Sequence, residues 1–185
     1  MNNTNQEINV LCPICKNRDV TFQSNYRNNS IYFDNLTRVI CNKCELVFTN
    51  PMPNDQKLED YNSNYHANAH GGHKRDLKLQ SFFRGIAKTR LFTIQNKLRL
   101  DYTSNYKVLE IGPGPGVFAE EWLKTFPQSN YYAIETDLSM HENLQKLGIQ
   151  IIREIENLDY KYYFDIIIIS HVLEHVTDPL YFLNS

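Results

Sequence analysis

The run Val108-Leu109-Glu110-Ile111-Gly112-Pro113-Gly114-Pro115-Gly116 constrains this chain more than any other stretch. It reads as an apolar strand closed by an acidic residue, followed by a glycine-rich turn that opens a helix. In an open parallel α/β sheet this is where bare backbone meets a nucleoside ligand. A Cβ at Gly112, Gly114 or Gly116 would hold such a ligand off the main chain, or would forbid a positive φ.

The details of the turn choose among nucleoside ligands. A dinucleotide fingerprint asks for a small residue five positions after its first glycine. Val117 stands there, and the third glycine comes one residue early. Pro113 and Pro115 have no N–H, so the turn is poor at cradling a pyrophosphate. Glu110 repels a phosphate but suits a sulfonium or an amino group. No G-x-x-x-x-G-K-[ST] pattern occurs. The turn therefore fits S-adenosylmethionine better than NAD or ATP. Beyond it, residues 117–126 read as a helix with Phe118, Trp122 and Leu123 toward the sheet, stopped by Pro127. Tyr131 to Glu135 reads as a second strand. A carboxylate about 20 residues after the turn accepts hydrogen bonds from ribose hydroxyls. Glu135 is the candidate; Asp137 competes, or caps a helix starting near Ser139.

On VLEIGPGPG, AIETD and FDIIIISHVLEHVTDP, residues 105–185 resemble the class I S-adenosylmethionine-dependent methyltransferases. The resemblance implies an α/β, Rossmann-like methyltransferase sheet of seven strands ordered 3-2-1-4-5-7-6. Strand 1 falls at 107–111, strand 2 at 131–135, strand 3 at 150–153 and strand 4 at 164–170. That leaves an incomplete 3-2-1-4 sheet and the expectation of a C-terminally truncated sequence.

Functional residues in such sheets cluster past the carboxyl ends of the strands, where His171, Glu174 and His175 lie. Methyl transfer is an in-line displacement, so the protein positions the nucleophile and removes its proton where needed. His175 is the candidate general base, because imidazole titrates near neutrality. Glu174 orients it or binds a substrate hydroxyl, and His171 lines the adenine or methionine pocket. The same residues match H-x-x-E-H, a zinc motif, but that motif needs both histidines a turn apart on a helix. Here it follows a strand without a break.

Cys12-Pro-Ile-Cys15 and Cys41-Asn-Lys-Cys44 form a C-x2-C…C-x2-C constellation, the donor set of a closed tetrahedral Zn²⁺ site. Four thiolates leave no position for water, so the metal is expected to be structural. Strands are expected at 20–22, 31–33, 37–40 and 46–49 in a zinc-ribbon domain over residues 1–53, ended by Asn50-Pro51-Met52-Pro53. Zinc ribbon, N-P-M-P, a segment bearing Tyr61, Tyr65 and His66, then the cofactor domain: this order resembles one methyltransferase subgroup. That subgroup includes sugar C-methyltransferases acting on nucleotide-linked deoxysugars.

Residues 54–104 read as a helical connector or lid. His66, His70 and His73 around Gly71-Gly72 read as a mobile loop or lid hinge, with a metal site as the alternative that no ligand spacing supports. From Lys74 to Leu100 apolar residues recur at helical spacing: Leu79, Phe83, Ile86, Ala87, Ile94 and Leu98. The opposite face is basic, either simply solvated or set to recognise phosphate, with Arg84 and Lys88 one turn apart to hold a nucleotide diphosphate. Tyr65 and Tyr61 are candidates to close the substrate side.

The net charge of −2 supplies no global attraction to nucleic acid or membrane. The start of the chain lacks a basic and apolar signal segment, and thiols paired without a secretion signal point to a reducing cytoplasm. The expected function is methylation of a small molecule, a nucleotide-linked sugar or glycan precursor, at carbon or oxygen. Two alternatives stand beside it: a methyltransferase acting on rRNA or tRNA, and a non-catalytic zinc-ribbon binding module. No [DNS]-P-P-[YFW] gripping motif and no cysteine in the catalytic half support the nucleic-acid reading.

Overall fold

The computed structural model describes residues 10–26, 33–70, 77–152 and 163–184. In chain order the strands and helices are β1 (Val20–Asn25), β2 (Thr37–Cys41), β3 (Val47–Asn50), α1 (Asp55–Asn62), α2 (Tyr65–His70) and α3 (Leu77–Leu98). There follow β4 (Lys107–Ile111), α4 (Val117–Thr125), β5 (Asn130–Ile134), α5 (His141–Lys146), β6 (Gln150–Ile151), β7 (Ile166–Ile169) and α6 (Pro179–Asn184). Short 3-10 turns occur at Leu138–Met140 and Leu173–His175. The chain divides into two compact units, Met1–Tyr61 with Leu173–Ser185, and Asn62–Val172. This grouping differs from boundaries at 53 and 104. The long connector helix α3 packs on α4 beside the sheet, so it belongs to the larger unit.

The smaller unit is built on an antiparallel sheet ordered β1-β2-β3. Alternation along β2 buries Val39 and Cys41. These join Cys12 and Phe48 in a small core against which Val10, Ile14, Val20 and Leu46 pack. Of the strand expected at 31–33, Phe33 lies in a bend, and Ile31 and Tyr32 lie outside the described residues. Phe33 instead meets buried Tyr61 edge to face, their rings 4.7 Å apart. Tyr61 is thus a core residue of this unit, which corrects its expected place on the substrate side.

The larger unit holds a wholly parallel sheet ordered β6-β5-β4-β7. Period-two alternation puts Val108, Glu110, Tyr131, Ala133 and Ile168 on one face. α3 and α4 supply Ala87, Leu91, Phe118, Ala119 and Trp122 to the same core. Each large side chain buried here contributes about 1.5–3 kcal/mol relative to exposure. α4 ends where the Phe126 N–H returns to the Trp122 carbonyl and Pro127 cannot continue the helix. On α3 the buried seam is Ala87 and Leu91; Leu98, expected inside, is 56% exposed. Arg153 of the expected third strand lies outside the described residues, as do Lys74, Arg75, His73, Gly71 and Gly72. Among the described residues no strand pairs with the outer side of β7. No described helix is long and apolar enough to cross a membrane.

Candidate active site

The glycine turn leaves the carboxyl end of β4 with Gly112, Gly114 and Gly116 all at positive φ, +67°, +54° and +73°. Gly116 combines two constraints. It caps the start of α4 in the left-handed region, and a Cβ there would sit 2.8 Å from Leu144 Cδ2. At Gly114 a Cβ would meet nothing within 4 Å, so its side of the turn is open space. Backbone contacts pin both ends. The Gly112 N–H donates to the Ile134 carbonyl at 2.9 Å, and the Asn143 amide donates to the Pro115 carbonyl at 2.7 Å.

Two carboxylates flank this turn. Glu135, just past β5, accepts from the Gly114 N–H through one oxygen and from the Asp137 N–H through the other, both at 2.8 Å. Burial raises its pKa, and the two backbone donors work against that rise. The His141 ring donates to the Glu135 backbone carbonyl at 2.8 Å, fixing the segment from α5. Asp137 is itself buried and caps the following 3-10 turn through the Ser139 N–H and hydroxyl.

Glu110 is only 4% exposed. Its carboxyl accepts from the Tyr131 hydroxyl at 2.8 Å. Burial pushes its pKa up to about 7, helped by repulsion from Glu135 and opposed by the Tyr131 hydrogen bond and the positive charge of Arg90. Burial first, then the Glu110 charge, holds Tyr131 well above its ordinary value, so it remains a donor.

Arg90 of α3 donates to His171 Nε2 at 2.7 Å. Arginine only donates, so this nitrogen accepts and the imidazole carries its proton on Nδ1. His171 holds a left-handed backbone, φ 57°, immediately past β7. Beside this pair a cleft of about 300 Å³ is lined by Thr89, Arg90, Thr93, Ile94, Phe118 and the end of β7. In the sequence Arg90 is one of several basic residues on the polar face of α3. Its position three residues after buried Ala87 was the signal that it turns toward the sheet.

A glycine turn at the carboxyl end of a parallel strand, flanked by the buried Glu110 and the half-buried Glu135, has the geometry that α/β sheets offer to nucleosides. Residues 72–185 match the family model described as a methyltransferase domain. The chain belongs to that methyltransferase family. Solved structures similar to this chain include the plantazolicin methyltransferase BpumL in complex with a pentazolic desmethylPZN analog and SAH. That pair shares 20% identity at a TM-score of 0.46, over 71% of this chain and 48% of the other. BpumL in complex with SAH matches at 20% identity and a TM-score of 0.46, over 70% of this chain and 53% of the other. The chain spans about half the length of these structures. No curated protein matches it.

The remaining residues singled out in the sequence lie elsewhere on the two units. The Arg84 guanidinium is held by Glu121 and, at 2.9 Å, by Glu120 of α4. Lys88 lies 3.9 Å from Glu121, and Lys124 reaches both acids. The expected diphosphate clamp is thus a charge network on the α3–α4 seam, because α4 presents two adjacent acids to it. Tyr65 opens α2 and is half-buried. Glu174, exposed, and His175, half-buried, lie in the 3-10 turn of the smaller unit.

In the smaller unit, the ligand atoms of Cys12, Cys15, Cys41 and Cys44 all lie within 4.8 Å of one another. Cys12–Cys44 and Cys15–Cys41 sulfurs are 3.5 Å apart, far beyond a bonded pair near 2.05 Å. Zn–S bonds of about 2.3 Å place tetrahedral sulfurs slightly under 4 Å apart, so the donor set fits zinc. Burial opposes ionisation of Cys41, but hydrogen bonds from the Cys44 and Lys43 backbone and from the Cys15 and Cys44 thiols bring it down to about 6.

Proposed function

We propose that this chain transfers a methyl group from S-adenosylmethionine to a small-molecule acceptor. One observation carries the reading: a methyltransferase-family chain presents three left-handed glycines at the end of its central parallel strand, between the buried carboxyl of Glu110 and the half-buried one of Glu135. When bound, the cofactor supplies a methyl carbon activated by a sulfonium. Glu135 is the residue to hold the ribose hydroxyls. Each of its oxygens already accepts one backbone N–H and retains a further lone pair. Gly114 admits close approach because nothing fills the space a Cβ would take. Glu110 sets a buried carboxyl on the strand that leads into the turn, and the Arg90–His171 pair borders the same end of the sheet.

The acceptor we infer is a nucleotide-linked sugar or glycan precursor. Support comes from the order of cysteine module, N-P-M-P segment, tyrosine-bearing segment and methyltransferase domain along the chain. His175 removes the acceptor's proton, Glu174 orients it, and Tyr65 contacts the acceptor. The four cysteines hold a structural Zn²⁺, which suits a reducing compartment such as the cytoplasm.

The test is calorimetric titration with S-adenosylmethionine and S-adenosylhomocysteine, followed by transfer of labelled methyl to nucleotide-sugar pools and, separately, to RNA. Binding plus label in the sugar fraction is expected, with His175→Ala lowering the rate by about 10²–10⁴-fold. Absence of binding removes the methyltransferase reading. RNA-dependent incorporation replaces the acceptor.

A further inference from the structure

The cleft of about 300 Å³ between α3 and the end of β7 shares no residue with the glycine turn. Neither residues 110–116 nor Glu135 and Asp137 line it. Its wall is apolar, built from Ile94, Phe118, Ile168 and Ile169. Thr89 and Thr93 add hydroxyls that are already engaged. Each donates to the carbonyl four residues back, Gly85 at 3.0 Å and Thr89 at 2.9 Å. Two polar groups are left to meet a ligand, the Arg90 guanidinium and the Ser170 hydroxyl.

Arg90 meets no carboxylate within ion-pair distance among the described residues. It gives one N–H to the neutral imidazole of His171, and the rest of its donor fork has no acceptor in the described residues. The charge of Glu110 acts on it only through space, since that buried carboxyl bonds the Tyr131 hydroxyl instead. Ser170 makes no side-chain hydrogen bond to a described residue. An apolar wall with a few convergent donors is the pattern of a small-molecule site.

We propose that this cleft binds a small monoanionic carboxylate with a compact apolar body. The carboxylate sits on Arg90, with Ser170 as a second donor, and the body packs on Ile94, Phe118 and Ile168. A guanidinium fork matches a planar carboxylate through two parallel hydrogen bonds. One cation balances one negative charge, no lysine lines the cleft, and Glu110 disfavours a second anionic group. The volume stands at the lower end of small-molecule pockets, so the body is short. A carboxylate arrives either free or at the end of an amino-acid group such as the methyl donor carries. The lining excludes the glycine turn, which assigns the free form.

Calorimetric titration of the 185-residue chain with benzoate and hexanoate, against benzamide and hexanamide, tests this site. The carboxylates are expected to bind at least about tenfold more tightly than the amides of the same shape. Arg90→Met keeps the length and loses the charge, so it should abolish that difference and leave amide binding unchanged. Arg90→Lys should recover only part of it, because an ammonium lacks the fork. Thr93→Phe, at an exposed position on the wall, fills the space and should weaken carboxylates and amides alike. Circular dichroism and tryptophan emission report whether each variant folds. Should Arg90→Met fail to fold, Thr93→Phe and the carboxylate–amide comparison in the unaltered chain decide the matter. Absence of binding at millimolar carboxylate, equal affinity for carboxylate and amide, or undiminished carboxylate binding in either folded variant, Arg90→Met or Thr93→Phe, overturns the proposal. Displacement of benzoate by saturating S-adenosylhomocysteine makes the cleft part of the cofactor site and also overturns it. Arg90-dependent benzoate binding in a chain that takes up neither S-adenosylmethionine nor S-adenosylhomocysteine supports the cleft while removing the methyltransferase reading.

Discussion

Glu110 carries a cost that the fold alone does not require. Its folded pKa of about 7 lies above the ordinary 4.5. Below about 4.5 both folded and unfolded chains hold the proton, and burial costs nothing extra. Between the two values the folded chain keeps a proton that the unfolded chain has released, so stability falls as pH rises. Above about 7 the full cost is present. Glu110→Gln is therefore expected to leave stability nearly unchanged at about pH 5 and to raise it by up to about 3 kcal/mol at about pH 8. Urea unfolding at the two pH values reads this; an equal change at both would show that the carboxyl is not the titrating group. The residue was legible in the sequence as an acid ending a strand before glycines. Its partner Tyr131 was not singled out, because a tyrosine in an apolar strand is indistinguishable from core until its register with Glu110 is known. Arg90 was hidden among other basic residues for the same reason: spacing identifies a face, not the group that the face meets.

At the scale of elements, strong punctuation was what made structure readable. β4 and α4 fall where the glycine turn and Pro127 put them. By contrast α1 and α2 form in a polar part of the connector that carries no helix signal of its own. α1 draws on local bonds, with Asn54 capping the Lys57 N–H at 2.8 Å and Gln56 bonding Asp60 one turn on, and these leave no apolar period. α3 shows the limit of periodicity in another way, since its basic face turned out to meet acids from α4. Glu121 is 8% exposed at its side chain and relies on Arg84, Lys124 and, more distantly, Lys88. Arg84→Ala removes the nearest of these. Breaking a fully buried pair costs about 3–5 kcal/mol, but Arg84 is 40% exposed and two lysines remain. A loss of about 1–2 kcal/mol is expected once solvent screening is allowed for. Glu121→Gln in the same background should recover part of it. Thermal melts of the single and double variants measure both. Unchanged stability in Arg84→Ala with weakened binding of a nucleotide diphosphate would return Arg84 to the substrate side.

Two cores of unequal size organise the whole molecule. The larger holds Trp122, Phe126 and Tyr131 among its fully buried side chains; the smaller rests on Cys12, Cys41, Val39 and Phe48. Two of the four buried residues of the smaller core are cysteines, and domains this small rarely hold together by apolar burial alone. Four thiols confined within 4.8 Å repel one another as they ionise, so a cation that binds all four stabilises the fold that gathers them. The chain is accordingly expected to carry one Zn²⁺, and a strong chelator should unfold the three-stranded sheet. Cys41→Ser should do the same, because it removes a buried ligand that is also a core residue. The chain has a single tryptophan, Trp122, buried in the other core, so its emission reports on that core alone. Loss of β-sheet circular dichroism with unchanged tryptophan emission is the expected signature of chelation. If emission and circular dichroism collapse together at one chelator concentration, the two cores unfold as one cooperative system. If neither moves while the metal content falls to zero, the cysteines do not hold the smaller unit together, and their sulfur cluster requires another explanation.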